Sequence, residues 1–170
     1  MKFLVLTDIH GSSKFLKLAI HKFEDLKCEK MLLLGDILYH GPRNDLPLEY
    51  NPKEVISILN SYKDKILCIK GNCDAEVDEM VLEFPLYPTI MLNVNGHKFE
   101  LIHGHNLEEC CAEGYILHGH THVNKVEDKV INIGSLSIPK DTHHTYAVID
   151  NDTLTSFDLL TDEVIMSVNL

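Results

Sequence analysis

The chain has 170 residues, 45% of them hydrophobic and 24% charged, which suits one domain with a core of its own. A formal net charge of −11 repels nucleic acid and anionic membranes, so nonspecific DNA binding is excluded and an anionic substrate needs locally supplied positive charge. Five cysteines, none spaced C-x-x-C, read as reduced thiols; the apolar run after Met1 stops at Thr7-Asp8, and no stretch nears the ~20 residues of a membrane span, so a cytoplasmic protein is expected.

Lys2–Thr7 reads as a buried strand. Ser12 or Ser13 then caps a helix whose Leu16, Ala19, Ile20, Phe23 and Leu26 recur at helical spacing. Met31–Leu34 is a second strand. Leu38–Tyr50, rich in Gly, Pro, Arg and Asn, is long enough to be a functional loop. Asn51-Pro52-Lys53-Glu54 combines an N-cap, a first-turn proline and a glutamate three residues on, with Val55, Ile58, Leu59 and Tyr62 on one face behind it. Ile66–Ile69 completes a β-α-β-α-β half, which implies a parallel sheet with right-handed crossovers. The second half is hairpin-rich. Ile90–Val94 and Lys98–His103 flank Asn95-Gly96. Asn106 opens a short helix ending at Gly114, with Leu107, Cys110 and Cys111 inward, and Tyr115–Leu117 is a strand. Val123–Glu127 pairs with Val130–Ile133, and Tyr146–Ile149 with Leu154–Leu159 across Asn151-Asp152. Val164–Val168 adds an edge strand. The pattern predicts an α/β fold of two packed sheets with helices outside.

The chemistry-bearing segments sit at the ends of these strands. Asp8-x-His10 follows the first, Gly35-Asp36 the second and Gly71-Asn72 the third. His103-Gly-His105 ends a later strand, and Gly119-His120-Thr-His122 follows another. Open α/β sheets bind ligands at that rim. Taken singly, D-x-H, G-D, G-N and H-x-H are common turns or surface pairs. Their joint placement in one order is what points to a metal centre.

That order, D-x-H, G-D, G-N, H-G-H, G-H-x-H, resembles the calcineurin-like metallophosphoesterases. The small size and the stretches Gly41-Pro42-Arg43-Asn44, Gly71–Asp78 and Ser135–Lys140 are similar to the bacterial YfcE-type phosphodiesterases. The resemblance spans the whole chain and implies a single metallophosphoesterase domain over 1–170, built as a four-layer α/β/β/α sandwich of two mixed sheets. It implies one divalent ion held by Asp8, His10, Asp36 and His122, and a second held by Asp36, Asn72, His103 and His120, with Asp36 bridging. Oxygen and imidazole ligands without thiolate suit manganese, iron, nickel or zinc, and among these the resemblance implies manganese. Two such ions against two carboxylates and a bridging hydroxide leave a site of about +1 formal charge, able to draw in a phosphate. The implied mechanism is in-line attack by that hydroxide, with ions ~3.5–4 Å apart.

Cys73 stands where many family members have a histidine thought to protonate the leaving group. A thiol, with a reference pKa of about 8.5 against about 6.5 for imidazole, serves that role poorly. Asn72, Cys73, Asp74, His105 and Arg43 are the candidates for catalysis, Arg43 as a phosphate clamp from the long loop. His118 reads as packing or ligand support, and His143-His144 as surface or loop residues. Asn132-Ile133-Gly134-Ser135 has isoleucine where the family usually has proline. The expected partner is a small phosphodiester or other phosphate ester, with no membrane and no nonspecific nucleic-acid binding; a homo-oligomer is expected from the subgroup. The rivals are a phosphomonoesterase or nucleotide phosphatase, and a protein-binding scaffold like the retromer subunit of the same fold.

Overall fold

Two mixed β-sheets share one core, and helices cover the outer face of the larger sheet. The computed structural model describes residues 1–110 and 113–170, with the backbone alone for Glu109. Strands β1 (Phe3–Leu6), β2 (Lys30–Leu33), β3 (Ile66–Ile69) and β4 (Leu86–Tyr87) run parallel. Antiparallel β10 (Thr145–Asp150), β11 (Thr153–Asp158) and β12 (Val164–Asn169) extend that sheet from β1. The second sheet orders β5 (Ile90–Val94), β6 (His97–Leu101), β7 (Tyr115–His118), β9 (Val130–Ile133) and β8 (Asn124–Glu127).

Side-chain alternation explains the layering. Phe3, Val5, Leu32 and Leu34 meet Phe99, Leu101, Leu117 and Ile131 between the sheets. Leu4, Leu6, Met31 and Leu33 face the other way, onto α1 (Ser13–Asp25) and α2 (Pro52–Asn60). The helix α1 buries Phe15, Leu16, Ala19, Ile20 and Phe23, the face its spacing predicts, and Ser12 is the N-cap, accepting from Phe15 N. Asn51 caps α2 through Glu54 N, with Pro52 in the first turn. Such caps contribute about 1 kcal/mol each. The Asn95-Gly96 turn has φ of 54° and 97°, the two positive angles a tight I′ hairpin demands.

Two expectations change. The strand foreseen to His103 ends at Leu101, although Ile102 N still donates to Leu117 O (3.1 Å) and His103 O accepts from Gly119 N (2.9 Å); the His103 ring reaches across to Leu34 O at β2's end. Of the helix foreseen over 106–114, the described residues form one 3₁₀ turn, Leu107–Glu109: Asn106 makes no side-chain capping bond and Cys110 is extended. The inward Cys111 lies outside the described residues. His143 and His144 lie in the loop before β10, as expected, and are half-buried, with His144 stacked on Phe15 at 3.9 Å and His143 Nδ1 3.0 Å from Asp158 Oδ2. Two elements had no sequence signal: the single turn α3 (Glu76–Glu79) and the two-residue β4.

Candidate metal centre

Asp8, His10, Asp36, His103 and His122 are all at most 3% exposed and meet at the ends of β1, β2, β6 and β7. Five of the seven expected ligands hold left-handed backbone: Asp8 (φ 53°), His10 (47°), Asp36 (56°), His120 (69°) and His122 (61°). Each such angle costs a non-glycine residue about 1–2 kcal/mol. Clustered strain of this sort is characteristic of functional sites.

Hydrogen bonds hold the turns in place. Asp74 is buried, and its carboxylate accepts from Asp36 N (2.8 Å), Ile37 N (2.8 Å) and Gly71 N (2.7 Å). Burial raises its pKa, and the three amide donors oppose that rise. Asp74 therefore braces two ligand turns instead of facing a substrate, which corrects its place among the catalytic candidates. Asn132 Nδ2 donates to Gly119 O (2.9 Å) and Thr121 Oγ1 (2.8 Å), while Ser135 and Ser137 hydroxyls reach Asp8 O at 3.1 and 3.2 Å. Ile133, in the motif's proline position, is buried among the core residues between the sheets. Two glycines permit the close approach. A β-carbon at Gly71 would sit 2.1 Å from Asp36 Oδ1, and one at Gly119 would sit 2.4 Å from Asp8 Oδ2.

Each carboxylate uses one oxygen for the protein and offers the other. Asp8 Oδ2 accepts from Thr7 Oγ1 (2.7 Å) and His120 N (3.0 Å), whereas buried Oδ1 has no hydrogen-bond partner among the described residues. Asp36 Oδ1 accepts from Cys73 N at 2.8 Å, and Oδ2 faces His103 Nε2 at 3.3 Å and His10 Nε2 at 3.7 Å. The imidazoles are oriented by main-chain carbonyls, each 2.7 Å from Nδ1: Tyr39 for His10, Leu34 for His103 and Ile138 for His122. With Nδ1–H spent on a carbonyl, each neutral ring turns a bare Nε2 inward. His10 Nε2 and His122 Nε2 then lie 3.3 Å apart, with Asp8 Oδ1 at 3.5 and 3.2 Å. Facing lone pairs repel unless a cation lies among them. A divalent ion answers that requirement, so the donor set fits the group the family resemblance implies.

Donor atoms of Asp8, His10 and His122 lie within 4.8 Å of one another, as do those of Asp36, His103 and His120. The His10–Asp36 contact joins the two groups. Asn72 is exposed, with Oδ1 3.0 Å from His103 Nε2. Cys73, a catalytic candidate but not an expected metal ligand, has its Sγ grouped with His10 and Asp36 donors; burial and the Asp36 carboxylate push the thiol up to about 12. Arg43 is exposed and lines an open cleft of about 760 Å³ with Asp36, Asn72, Cys73, His120 and Lys140. Lys140 was not singled out by the sequence, although it ends one of the resemblance-bearing stretches. His105 is exposed, its ring 5.7 Å from that of His103. His118 is buried, Nδ1 3.1 Å from Gly119 O, and burial lowers its pKa.

Burial opposes charge on His103, but Asp36 and Asp8 outweigh it and push the imidazole up to about 9. Burial likewise opposes charge on Asp8, and the facing His10 and His122 hold its carboxyl well below the usual range. Protons thus stand in for cations when no metal is bound. A folded pKa raised above an unfolded value of roughly 6.5 contributes stability fully present below that pH and lost as pH rises through the folded value. Metal-stripped protein is therefore expected to lose melting temperature between roughly pH 6.5 and pH 9.5, less steeply in His103→Asn. A flat thermal-shift profile over that window would contradict the assignment.

Residues 1–154 match the family model described as the calcineurin-like phosphoesterase superfamily domain. The chain is 35% identical to phosphodiesterase YfcE of Escherichia coli K12, with 99% of this chain and 97% of that protein covered. A solved structure of YfcE, titled a phosphoesterase from E. coli, superposes with a TM-score of 0.93 at 34% identity, covering 99% of each chain. A Vps29 from Entamoeba histolytica shares the fold, with a TM-score of 0.66 at 17% identity over 100% of this chain and 99% of that one. No helix among the described residues is long and apolar enough to cross a membrane.

Proposed function

The chain belongs to the calcineurin-like phosphoesterase superfamily, and from that premise we propose that it is a dinuclear, metal-dependent phosphodiesterase acting on a small substrate. Asp8, His10, Asp36 and His122 would hold one ion, and Asp36, Asn72, His103 and His120 the other. The observation that carries the reading is Asp8 Oδ1, without a hydrogen-bond partner among the described residues, set against two inward-turned Nε2 atoms. When bound, divalent ions supply Lewis-acid charge for the phosphoryl group and lower the pKa of water.

The chain's own residues do the rest. Asp36 has a free carboxylate oxygen facing both imidazole groups, so it sets their spacing. Asp74 fixes the Asp36 and Asn72 turns by accepting three amide protons, so neither ligand must reorganise when substrate arrives. Arg43 and Lys140 line the cleft beside Asp36, Asn72 and His120 and give an anionic ester its approach despite the acidic surface. Arg43 can clamp two phosphoryl oxygens with its planar fork. Manganese suits this donor set, as do iron, nickel and zinc.

Cys73 lacks the acidity of an imidazole and leaves departing alkoxides poorly protonated. Esters with good leaving groups are therefore the preferred substrates. In a series of aryl phosphodiesters, Cys73→His is expected to flatten the dependence of kcat on leaving-group pKa, and Cys73→Val to leave it as steep as in the wild type. Unchanged slopes in both variants would remove Cys73 from the chemistry.

The diester assignment is tested with bis(4-nitrophenyl) phosphate and 4-nitrophenyl phosphate side by side, on metal-stripped protein before and after adding Mn²⁺. Metal-restored turnover favouring the diester is expected. Preference for the monoester would move the assignment to a phosphomonoesterase, and silence with both would bring the scaffold alternative forward.

A further inference from the structure

A second pocket, of about 410 Å³, opens beside His103 and shares no lining residue with the Arg43–Lys140 cleft. Phe99 and Leu101 of β6 point into the core between the sheets, so strand alternation turns Glu100 to the other face, where it lines this pocket. Glu100 is only 9% exposed, and its Oε2 is buried with no hydrogen-bond partner among the described residues. Lys70, the cation on the same wall, is committed elsewhere, its Nζ paired with Glu79 Oε1. Pro88, Thr89 and Ile102 give the lining apolar surface, and His103, His105, Asn106 and Cys110 line it as well.

A carboxylate buried without a donor or counter-charge is costly. Native proteins keep few such groups, and one that lines a pocket beside a reaction centre is satisfied when a ligand brings the missing donor. An anionic group would be repelled there, and a purely apolar one would leave the carboxylate stranded.

We propose that this pocket receives one alcohol arm of the phosphodiester, and that this arm carries an ammonium or amine group on a short apolar stem, bound by Glu100. The assignment rests on the phosphodiesterase reading and sharpens it. With the phosphoryl group at the metal centre, one arm lies toward the cationic cleft and the other toward Glu100. The substrate class is thus a phosphodiester of an amino alcohol or of a comparable amine-bearing alcohol.

The test uses 4-nitrophenyl phosphodiesters whose second arm is an ω-aminoalkyl chain of increasing length, each against the plain alkyl arm of equal length. In the manganese-loaded wild type, the ammonium arm is expected to raise kcat/KM by about tenfold at its best length. Glu100→Gln, similar in shape but uncharged, is expected to bring that ratio to within about twofold. Thr89→Lys, which carries an ammonium onto the same wall, is expected to do the same. A ratio near one at every length, or a preference that survives in both variants, overturns the proposal. If Glu100→Gln does not fold, Thr89→Lys alone decides. Turnover of alkyl esters without ammonium preference overturns only the arm assignment. Failure of every ester overturns the phosphodiesterase reading and this inference with it.

Discussion

Asp36→Asn is expected to lower metal-dependent diester hydrolysis by on the order of 10²–10³-fold, the scale seen when one electrostatic element of an active site is removed. The substitution changes one atom and keeps the shape, so Cys73 N can still donate to Oδ1 as it does at 2.8 Å in the wild type. What is lost is the charge on the oxygen facing His103 and His10 at 3.3 and 3.7 Å. Among the described residues no other carboxylate contacts imidazoles of both groups, since Asp8 Oδ1 faces His10 and His122. The defect should therefore appear at both ion positions. His122→Ala, by contrast, should weaken binding at the Asp8 end and spare the His103 end. Metal-binding titrations of the two variants check the contrast, and an Asp36→Asn protein that kept both sites and full turnover would refute the bridging role.

Removing divalent ions is expected to lower the melting temperature by about 8–16 °C if the ions were held at some thousandfold above Kd. Mass action at that excess contributes about 4 kcal/mol, and each kcal/mol shifts a chain of this size by about 2–4 °C. Without the ions, two carboxylates and four histidines crowd one buried rim on strained backbone. Some of the repulsion is relieved by protonating His103, but only below its raised pKa of about 9. Thermal melts in chelator and after adding back Mn²⁺ measure the shift, and an unchanged melting temperature under both conditions would argue against a formed site.

The fold and the ligand rim were legible for reasons specific to this chain. Caps at Ser12 and Asn51 and the Asn95-Gly96 turn act locally, so residue order alone reveals them. Parallel strands β1, β2 and β3 then carry Asp8, Asp36 and Asn72 to one rim as a matter of topology. The misses were long-range. Asp74 was a catalytic candidate beside Cys73, yet backbone donors at Asp36, Ile37 and Gly71 occupy its carboxylate. The carbonyls of Tyr39, Leu34 and Ile138 that turn the imidazoles carry no residue-type signature at all. Lys140 reaches the cleft only because the chain after β9 folds back beside His122, its N–H bonding His122 O at 2.9 Å. Glu100 was not singled out by the sequence, and only the surrounding surface shows that it is enclosed.

The most direct test of the central claim is to titrate metal-stripped protein with Mn²⁺ while recording bis(4-nitrophenyl) phosphate hydrolysis and the number of ions bound per chain. The account predicts negligible turnover in the stripped protein and a rate that reaches its plateau as the second ion binds. Turnover that survives complete stripping, or none at all when two ions are bound, would contradict it.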